Sequence, residues 1–278
     1  MGMSEHSARM APEDEDFANF IANVRKATSI DLSQYKETQM RRRLTTLRVK
    51  NGFADFSSYF KAIMDEPRLR NEFLDRMTIN VSEFWRNPNR WNMLMERFLP
   101  DMIKRSPKLK VWSAACSTGE EPYTIAMILD RLGALGQATL LATDIDEGVL
   151  AKAKNGIYPE RSIREVPKGM ADVYFKGGGD FFQVDDKLKR AVRFQKQNLL
   201  FDSFQDGFDL IVCRNVMIYF TEEAKQQLYE KFAKALKPGG ILFVGSTEQI
   251  FSPGQYGLET ADTFSTAASY EAASAARY

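Results

Sequence analysis

The chain has 278 residues, 44% of them hydrophobic and 27% charged, and its formal net charge is +1. This composition is ordinary for a globular protein, and the even charge balance gives no general attraction to nucleic acid. Two cysteines, Cys116 and Cys213, cannot build a disulfide framework, so we expect a protein of the reducing cytoplasm. The sequence has no long apolar run, so we predict neither a secretory signal nor direct insertion into a membrane.

The single histidine, His6, lies in an N-terminal segment, residues 1–16, that we predict to be a disordered tail. A histidine general base, a Ser-His-Asp triad and a histidine metal site are therefore not expected, and no metal ion is predicted. The reaction of this chain should not depend on a strong neutral base.

Residues 17–77 have the apolar spacing of helices and no strand pattern, which predicts a small helical domain. Basic residues outnumber acidic ones in this domain, and one predicted helix has a basic cluster consisting of Arg41, Arg42, Arg43 and Arg48. A solvated helix face and a docking surface for an acidic partner both fit this cluster.

From 93 to 270, apolar strands alternate with helical segments, which predicts a doubly wound, mostly parallel sheet with helices on both faces. Within it, residues 172–197 predict a small antiparallel β insertion, a hairpin plus one strand that contains Val192 and Phe194. Tyr270 is placed on a last strand, and residues 271–278 are expected to fray.

The segment Ser113-Ala-Ala-Cys-Ser-Thr-Gly-Glu-Glu-Pro-Tyr123 leaves the first strand and enters a helix. Its small residues permit close approach of a ligand at the sheet edge where α/β proteins bind cofactors. It lacks the glycine pattern of dinucleotide sites, and Glu120 and Glu121 would repel a pyrophosphate. Carboxylates favour a cationic ligand without phosphate, such as S-adenosylmethionine.

Three further sites lie at the same predicted edge of the sheet. Asp144 ends the second strand, where an acidic residue commonly accepts ribose hydroxyls, although a role as helix N-cap belongs to either Asp144 or Asp146. Asn198-Leu199 and Arg214-Asn215 follow two other strands, and Asn198 is a candidate for contact with an adenine edge. Taken singly, each could be a cap or turn residue.

The connector between the two halves, residues 78–92, mixes polar and aromatic residues in an unusual way for a linker. It places Asn80, Ser82 and Arg86 among Val81, Phe84 and Trp85. We therefore predict that this linker contributes to the cofactor site and closes over it.

These motifs together resemble the CheR family of chemotaxis-receptor protein-glutamate methyltransferases over residues 17–260. The resemblance rests on six segments: Thr78-Ile-Asn-Val-Ser-Glu-Phe-Trp-Arg86, Ser117-Thr-Gly-Glu-Glu-Pro-Tyr123, Ala142-Thr-Asp-Ile145, Asn198-Leu-Leu200, Arg214-Asn-Val-Met-Ile-Tyr-Phe220 and Lys237-Pro-Gly-Gly240. Ser82 stands where many members have Thr, and Trp85 where Phe is usual. The shorter loop after Lys176 leaves open whether a receptor tail peptide is bound.

The resemblance implies a class I S-adenosylmethionine methyltransferase that forms glutamate methyl esters and S-adenosylhomocysteine. It implies that Arg86 and Tyr219 lie near the reacting methyl group, and that the basic helix meets the cytoplasmic helical bundle of chemotaxis receptors. A monomer is expected. The cofactor contacts that it implies are Asn80, Ser82, Arg86, Glu120, Asp144, Asn198, Leu199, Arg214 and Asn215.

A glutamate acceptor agrees with the scarcity of histidine, because its carboxylate is already ionised near neutral pH and gives up no proton. Two alternatives stay open. One is a class I methyltransferase acting on a small molecule or RNA, and the other is a non-catalytic S-adenosylmethionine-binding signalling module.

Overall fold

The computed structural model describes residues 11–28, 30–78 and 82–261 and the backbone of the strand at 269–272. The chain divides between Met77 and Thr78 into two units. Among the residues that the structure describes, no helix is both long enough and apolar enough to span a membrane.

The first unit is helical, as predicted. Its helices are α1 (Pro12–Thr28), α2 (Glu37–Lys50), α3 (Phe56–Asp65) and α4 (Pro67–Thr78). Because α1 begins at Pro12, residues 12–16 are not part of a disordered tail, and residues 1–10 lie outside the described residues. Asp16 shows why the helix extends so far: its carboxylate accepts hydrogen bonds from Phe56 N at 2.6 Å and Ser57 N at 3.1 Å, at the start of α3.

Aromatic side chains form the core of this unit. The Phe20 ring contacts Phe56, Tyr59 and Phe73, with ring centroids 5.1, 6.2 and 6.1 Å away. Burying each such ring contributes about 1.5–3 kcal/mol, which is how four short helices make a stable unit.

The second unit contains the remaining helices and all the strands among the described residues. The helices are α5 (Pro88–Met93), α6 (Leu99–Arg105), α7 (Glu120–Arg131), α8 (Glu147–Asn155), α9 (Lys168–Tyr174), α10 (Asp186–Ala191) and α11 (Glu222–Ala235). A π-helical turn, Leu94–Phe98, joins α5 to α6. The predicted boundary between residues 92 and 93 therefore falls inside one continuous helical stretch, because the connector itself packs as part of this unit.

The strands of the second unit form one large and one small sheet. They are β1 (Lys110–Ala114), β2 (Thr139–Asp144), β3 (Ile157–Pro159), β4 (Phe175–Gly178), β5 (Phe181–Val184), β6 (Val192–Lys196), β7 (Phe208–Cys213), β8 (Leu236–Val244), β9 (Leu258–Thr260) and β10 (Ser269–Ala272).

The large sheet has the strand order β6-β2-β1-β7-β8-β10-β9. Its first five strands are parallel, and β10 pairs antiparallel with both β8 and β9. Every residue of β7 is buried, as expected for a parallel strand covered on both faces. Tyr270 lies on β10, as predicted. The order reverses between β1 and β7, which is where sheets of this kind bind ligands.

The small sheet differs from the predicted insertion. Its order is β3-β5-β4, so the partner of the β4–β5 hairpin is Ile157–Pro159, which precedes the predicted range 172–197. Val192 and Phe194 lie instead on β6, which pairs in parallel with β2 in the large sheet. The alternating pattern of β6 was misleading because β6 is an edge strand, whose outer face is exposed.

Candidate functional site

The loop between β1 and α7 turns tightly at Gly119, whose φ angle is +96°. A Cβ atom there would lie 2.8 Å from Ala153 Cβ and 3.0 Å from Tyr158 Oη, so only glycine fits. The Tyr158 hydroxyl also donates to Thr118 O at 2.6 Å. The loop backbone is thus packed closely against α8 and the small sheet.

Glu120 begins α7 and is buried. Its carboxylate accepts hydrogen bonds from the hydroxyls of Thr118, at 2.7 Å, and Ser82. Burial raises the pKa of Glu120, while these hydrogen bonds oppose the shift. The contact with Ser82 joins the linker to the loop, and a contribution of the linker to the cofactor site stays a prediction.

Asp144 and Asp146 have separate roles. Asp146 is the N-cap of α8 and accepts from Gly148 N at 2.7 Å, which leaves Asp144 without a capping role. The Asp144 carboxylate accepts from Ser117 N at 2.8 Å and from Asp146 N at 3.1 Å. Burial raises its pKa to about 6. Asp144 therefore ties the end of β2 to the β1 loop, and contact with a ribose stays a prediction.

The linker packs into the core of the second unit. Phe84 and Trp85 are buried, and Phe84 lies edge-on against Tyr158 with ring centroids 4.8 Å apart. Trp85 has a φ angle of +58°, and its backbone N–H donates to Thr124 Oγ1 of α7 at 3.2 Å. Residues 84 and 85 of the linker are therefore packed in the core next to the loop after β1. Asn80, predicted as a cofactor contact, lies outside the described residues.

Arg214, which follows β7, also forms hydrogen bonds with the linker. Its buried guanidinium donates to Arg86 O at 3.1 Å and to Asn87 Oδ1 at 2.8 Å, and it stacks over the Trp91 ring at 5.1 Å. Burial lowers the pKa of Arg214, and the charge of Glu121 opposes this. In this geometry Arg214 positions the backbone that carries Arg86, whereas the resemblance implies direct contact with the cofactor.

Glu121, in the first turn of α7, interacts electrostatically with Arg214 and Arg86. Its carboxylate accepts from Ser113 Oγ at 2.8 Å. Burial raises the pKa of Glu121 to about 7, and the nearby charges of Arg214 and Arg86 lower it. Arg86, whose carbonyl accepts from Arg214, thus lies near the carboxyl end of β7, and its position beside the reacting methyl group stays a prediction.

Asn198 and Leu199 form a tight turn after β6. Asn198 Oδ1 accepts from Leu200 N at 3.0 Å, which fixes the orientation of the side-chain amide. Lys231 of α11, which no sequence pattern indicates, donates to Leu199 O at 2.6 Å and Asp202 O at 2.7 Å. Its role is to hold this turn, through backbone contacts that no sequence motif reveals.

Glu248 is a second residue missed from the sequence. It is buried after β8, and its carboxylate accepts from backbone N–H groups of Asn215, Val216 and Met217. These residues lead into the short 3-10 helix Met217–Tyr219. The turn that presents Asn215 and Tyr219 is therefore built around an acidic residue some thirty positions away.

The predicted basic docking cluster is only partly available to a partner. Arg48 is buried: it lies over the Phe56 ring at 4.8 Å and donates to Ala54 O, so its assignment as a docking residue is wrong. Arg41 is tied to Asp14 by a 2.6 Å ion pair. Arg41 is half-buried and shares a helix face with Arg48, because the two residues are seven apart. Arg42 is exposed and Arg43 half-buried.

These features fit one class of cofactor. Acidic acceptors, Glu120 and Asp144, lie around a loop that only glycine permits, and they suit the hydroxyl and ammonium groups of S-adenosylmethionine better than a phosphate. The fold and the site together define a class I S-adenosylmethionine-dependent methyltransferase.

Comparison with known proteins identifies the family. The family model described as CheR methyltransferase, SAM binding domain, matches residues 80–264, and that of the CheR methyltransferase, all-alpha domain, matches residues 15–78. The chain therefore belongs to the CheR methyltransferase family, and S-adenosylmethionine is its cofactor.

Curated relatives share most of their length with this chain. A chemotaxis protein methyltransferase of Listeria monocytogenes is 43% identical over 257 residues, which cover 92% of this chain and 98% of the relative. A protein of the same name from Borreliella burgdorferi is 35% identical, covering 85% and 88%. Chemotaxis protein methyltransferase Cher2 of Pseudomonas putida is 34% identical, covering 87% and 92%.

Proposed function

We propose that this methyltransferase esterifies glutamate side chains of chemotaxis receptors, and that it does so in the cytoplasm, giving glutamate methyl esters and S-adenosylhomocysteine. The observation that carries the proposal is Arg86, whose backbone carbonyl accepts from Arg214 just after β7, in a chain whose one histidine, His6, is far from the site in sequence. An arginine suits an acceptor that is already a carboxylate.

S-adenosylmethionine supplies an electrophilic methyl group when bound. The residues that we assign to its binding are Asn80, Ser82, Arg86, Glu120, Asp144, Asn198, Leu199, Arg214 and Asn215. Among these, Glu120 and Asp144 offer acceptors for the ammonium and ribose hydroxyls, and the Asn198 amide is oriented toward a base edge in our assignment.

We assign the acceptor carboxylate to Arg86 and Tyr219. A glutamate with an ordinary pKa near 4.3 needs no base, so these residues act by alignment, which is a large contribution to a two-reactant step. Arg86 holds the carboxylate in place, and the Tyr219 hydroxyl donates a hydrogen bond that orients it. Arg214 keeps the Arg86 backbone fixed against the sheet.

The helical unit is assigned to recognition of the receptor. Its exposed Arg42 and half-buried Arg43 match the acidic character of a helix that presents several glutamates. We expect the enzyme to act as a monomer on the cytoplasmic helical bundle of the receptor.

The decisive assay combines the purified protein, S-adenosylmethionine with a labelled methyl group, and membranes that carry chemoreceptors. Label should appear in the receptor and leave as methanol under mild base, because carboxyl methyl esters are base-labile. Base-stable label, or label in RNA or a small molecule, would reject the proposal. Cofactor binding without turnover on any receptor would instead favour a signalling module.

A further inference from the structure

One buried carboxylate gathers four backbone donors at the ends of two neighbouring strands. Glu248 Oε2 accepts from Asn215 N at 2.6 Å and Gly245 N at 2.9 Å, and Oε1 accepts from Val216 N at 2.9 Å and Met217 N at 2.8 Å. The side chain is 5% exposed. Both oxygens are therefore fully used, and water competes little for either.

Three of the four donors belong to the turn at residues 215–217, and these three N–H groups need an acceptor from outside the turn. Asn215 has a φ angle of +60°, a left-handed conformation that a residue with a side chain adopts at a cost. The three successive N–H groups at 215–217 point to one acceptor group. A buried N–H left unpaired is costly, so the carboxylate and this backbone conformation require each other.

The same turn connects three residues of the site. Arg214, which fastens the linker, precedes it, Asn215 is part of it, and Tyr219 closes the 3-10 helix that follows. We infer that Glu248 is the positioning residue of this segment: its four hydrogen bonds place Asn215 for the cofactor and Tyr219 for the acceptor. This inference rests on the proposed function of the site.

The test is Glu248→Gln, which preserves shape but turns one oxygen into an NH₂ group facing two N–H donors. At least one pair of hydrogen bonds is lost, so the turn must move. Calorimetric Kd for S-adenosylhomocysteine should rise at least about tenfold, the effect of one lost charge-assisted hydrogen bond, and kcat should fall as Tyr219 is displaced.

Asp209→Asn is the matched control for simple loss of stability. Asp209 is also a buried carboxylate that accepts a backbone N–H, from Lys110 at 2.8 Å, and it is bonded to Lys237 Nζ, but it lies at the opposite end of β7. This variant should lower the melting temperature while Kd and kcat stay at wild-type values when measured well below the melting transition.

Gly245→Ala provides a second variant that retains the negative charge. A Cβ atom at Gly245 would overlap Glu248 Oε2 and lie 3.1 Å from Asn215 N, so it should displace the carboxylate and raise Kd in the same direction. If Glu248→Gln does not fold, Gly245→Ala decides the question.

Wild-type Kd and kcat in either folded variant would overturn the inference, as would an equal loss of affinity in Asp209→Asn. These outcomes are distinct from failure of the proposed function, in which the wild-type protein itself would not methylate the receptor.

Discussion

Four acidic residues near the carboxyl ends of β1 and β2, where we assign the cofactor, show how neighbouring carboxylates acquire different roles. Asp146 caps a helix, Asp144 joins two strand ends, Glu120 meets the linker, and Glu121 faces the arginines. The sequence left the roles of Asp144 and Asp146 open, since either could cap α8. In the structure Asp146 caps α8, and the two carboxylate oxygens of Asp144 accept hydrogen bonds from the backbone N–H groups of Ser117 and Asp146.

Replacing Asp144 by Asn should weaken S-adenosylmethionine binding by at least about tenfold, since an amide offers one acceptor where the carboxylate offers two. Asp146→Asn is the control, because Asn caps helices nearly as well as Asp. Isothermal calorimetry measures both. Equal affinities for the two variants would remove Asp144 from the cofactor site.

Arg86→Ala should lower kcat on receptor by about 100-fold, as for loss of a preorganised group that aligns or stabilises reacting charge. The side chain is half-buried and its backbone carbonyl still accepts from Arg214, so the fold should survive. Steady-state kinetics and circular dichroism check the two statements. Near-wild-type turnover would refute the assigned role.

Glu121 gives a prediction for pH dependence. Its folded-state pKa is raised to about 7 from 4.5. The folded chain therefore holds this proton more tightly than the unfolded chain, and the free energy of unfolding falls as pH rises from about 4.5 to 7. In Glu121→Gln this fall should be smaller by at most about 3 kcal/mol. Urea unfolding at pH 5 and pH 8 measures the change in unfolding free energy for both proteins. The same change in the wild type and in Glu121→Gln would contradict the prediction.

At the scale of elements, the loop after β1 determines the site most directly. Gly119→Ala would combine left-handed strain, roughly 1–2 kcal/mol, with crowding against Ala153. We expect a loss of at least about 2 kcal/mol in unfolding free energy together with weaker cofactor binding. Gly133→Ala is the control for left-handed backbone strain without crowding, because Gly133 has a φ angle of +71° and open space around it. Similar losses in both variants would show that crowding at Gly119 is unimportant.

Elements differ in how well the sequence predicts them. The predictions of the parallel strands β1, β2 and β7 are confirmed, because continuous apolar runs identify buried strands. Strand β6 was assigned to the wrong sheet because alternation reports one exposed face and cannot tell an edge strand of a large sheet from a strand of a small one. Lys231 and Glu248 went unnoticed for a related reason: they bind backbone atoms distant in sequence, and such contacts have no periodicity.

At the scale of the whole molecule, we assign recognition of the receptor to the helical unit. Arg42→Glu should raise KM for receptor by roughly threefold to tenfold at low salt, with a smaller effect at high salt. Cofactor affinity should not change. Arg68→Glu, a reversal at an arginine side chain that is 71% exposed on α4, is the matched control. An unchanged KM for Arg42→Glu would mean that the basic face is only solvated.

Sequence reasoning about this unit succeeded with its helices and failed with Arg48. Seven-residue spacing correctly placed Arg41 and Arg48 on one face, but spacing cannot say whether that face meets solvent. Arg48 lies inside, where its guanidinium donates to Ala54 O and lies over the Phe56 ring, and a helical pattern of charges does not reveal these contacts.

The two free cysteines have a practical consequence. Cys116 and Cys213 end up buried beside the cofactor edge, and burial raises the pKa of each thiol well above its ordinary value. A protonated, inaccessible thiol reacts slowly with alkylating reagents. Because Cys116 lies in the loop that we assign to the cofactor, its rate of alkylation measures how often that loop opens in the native state, without any introduced label.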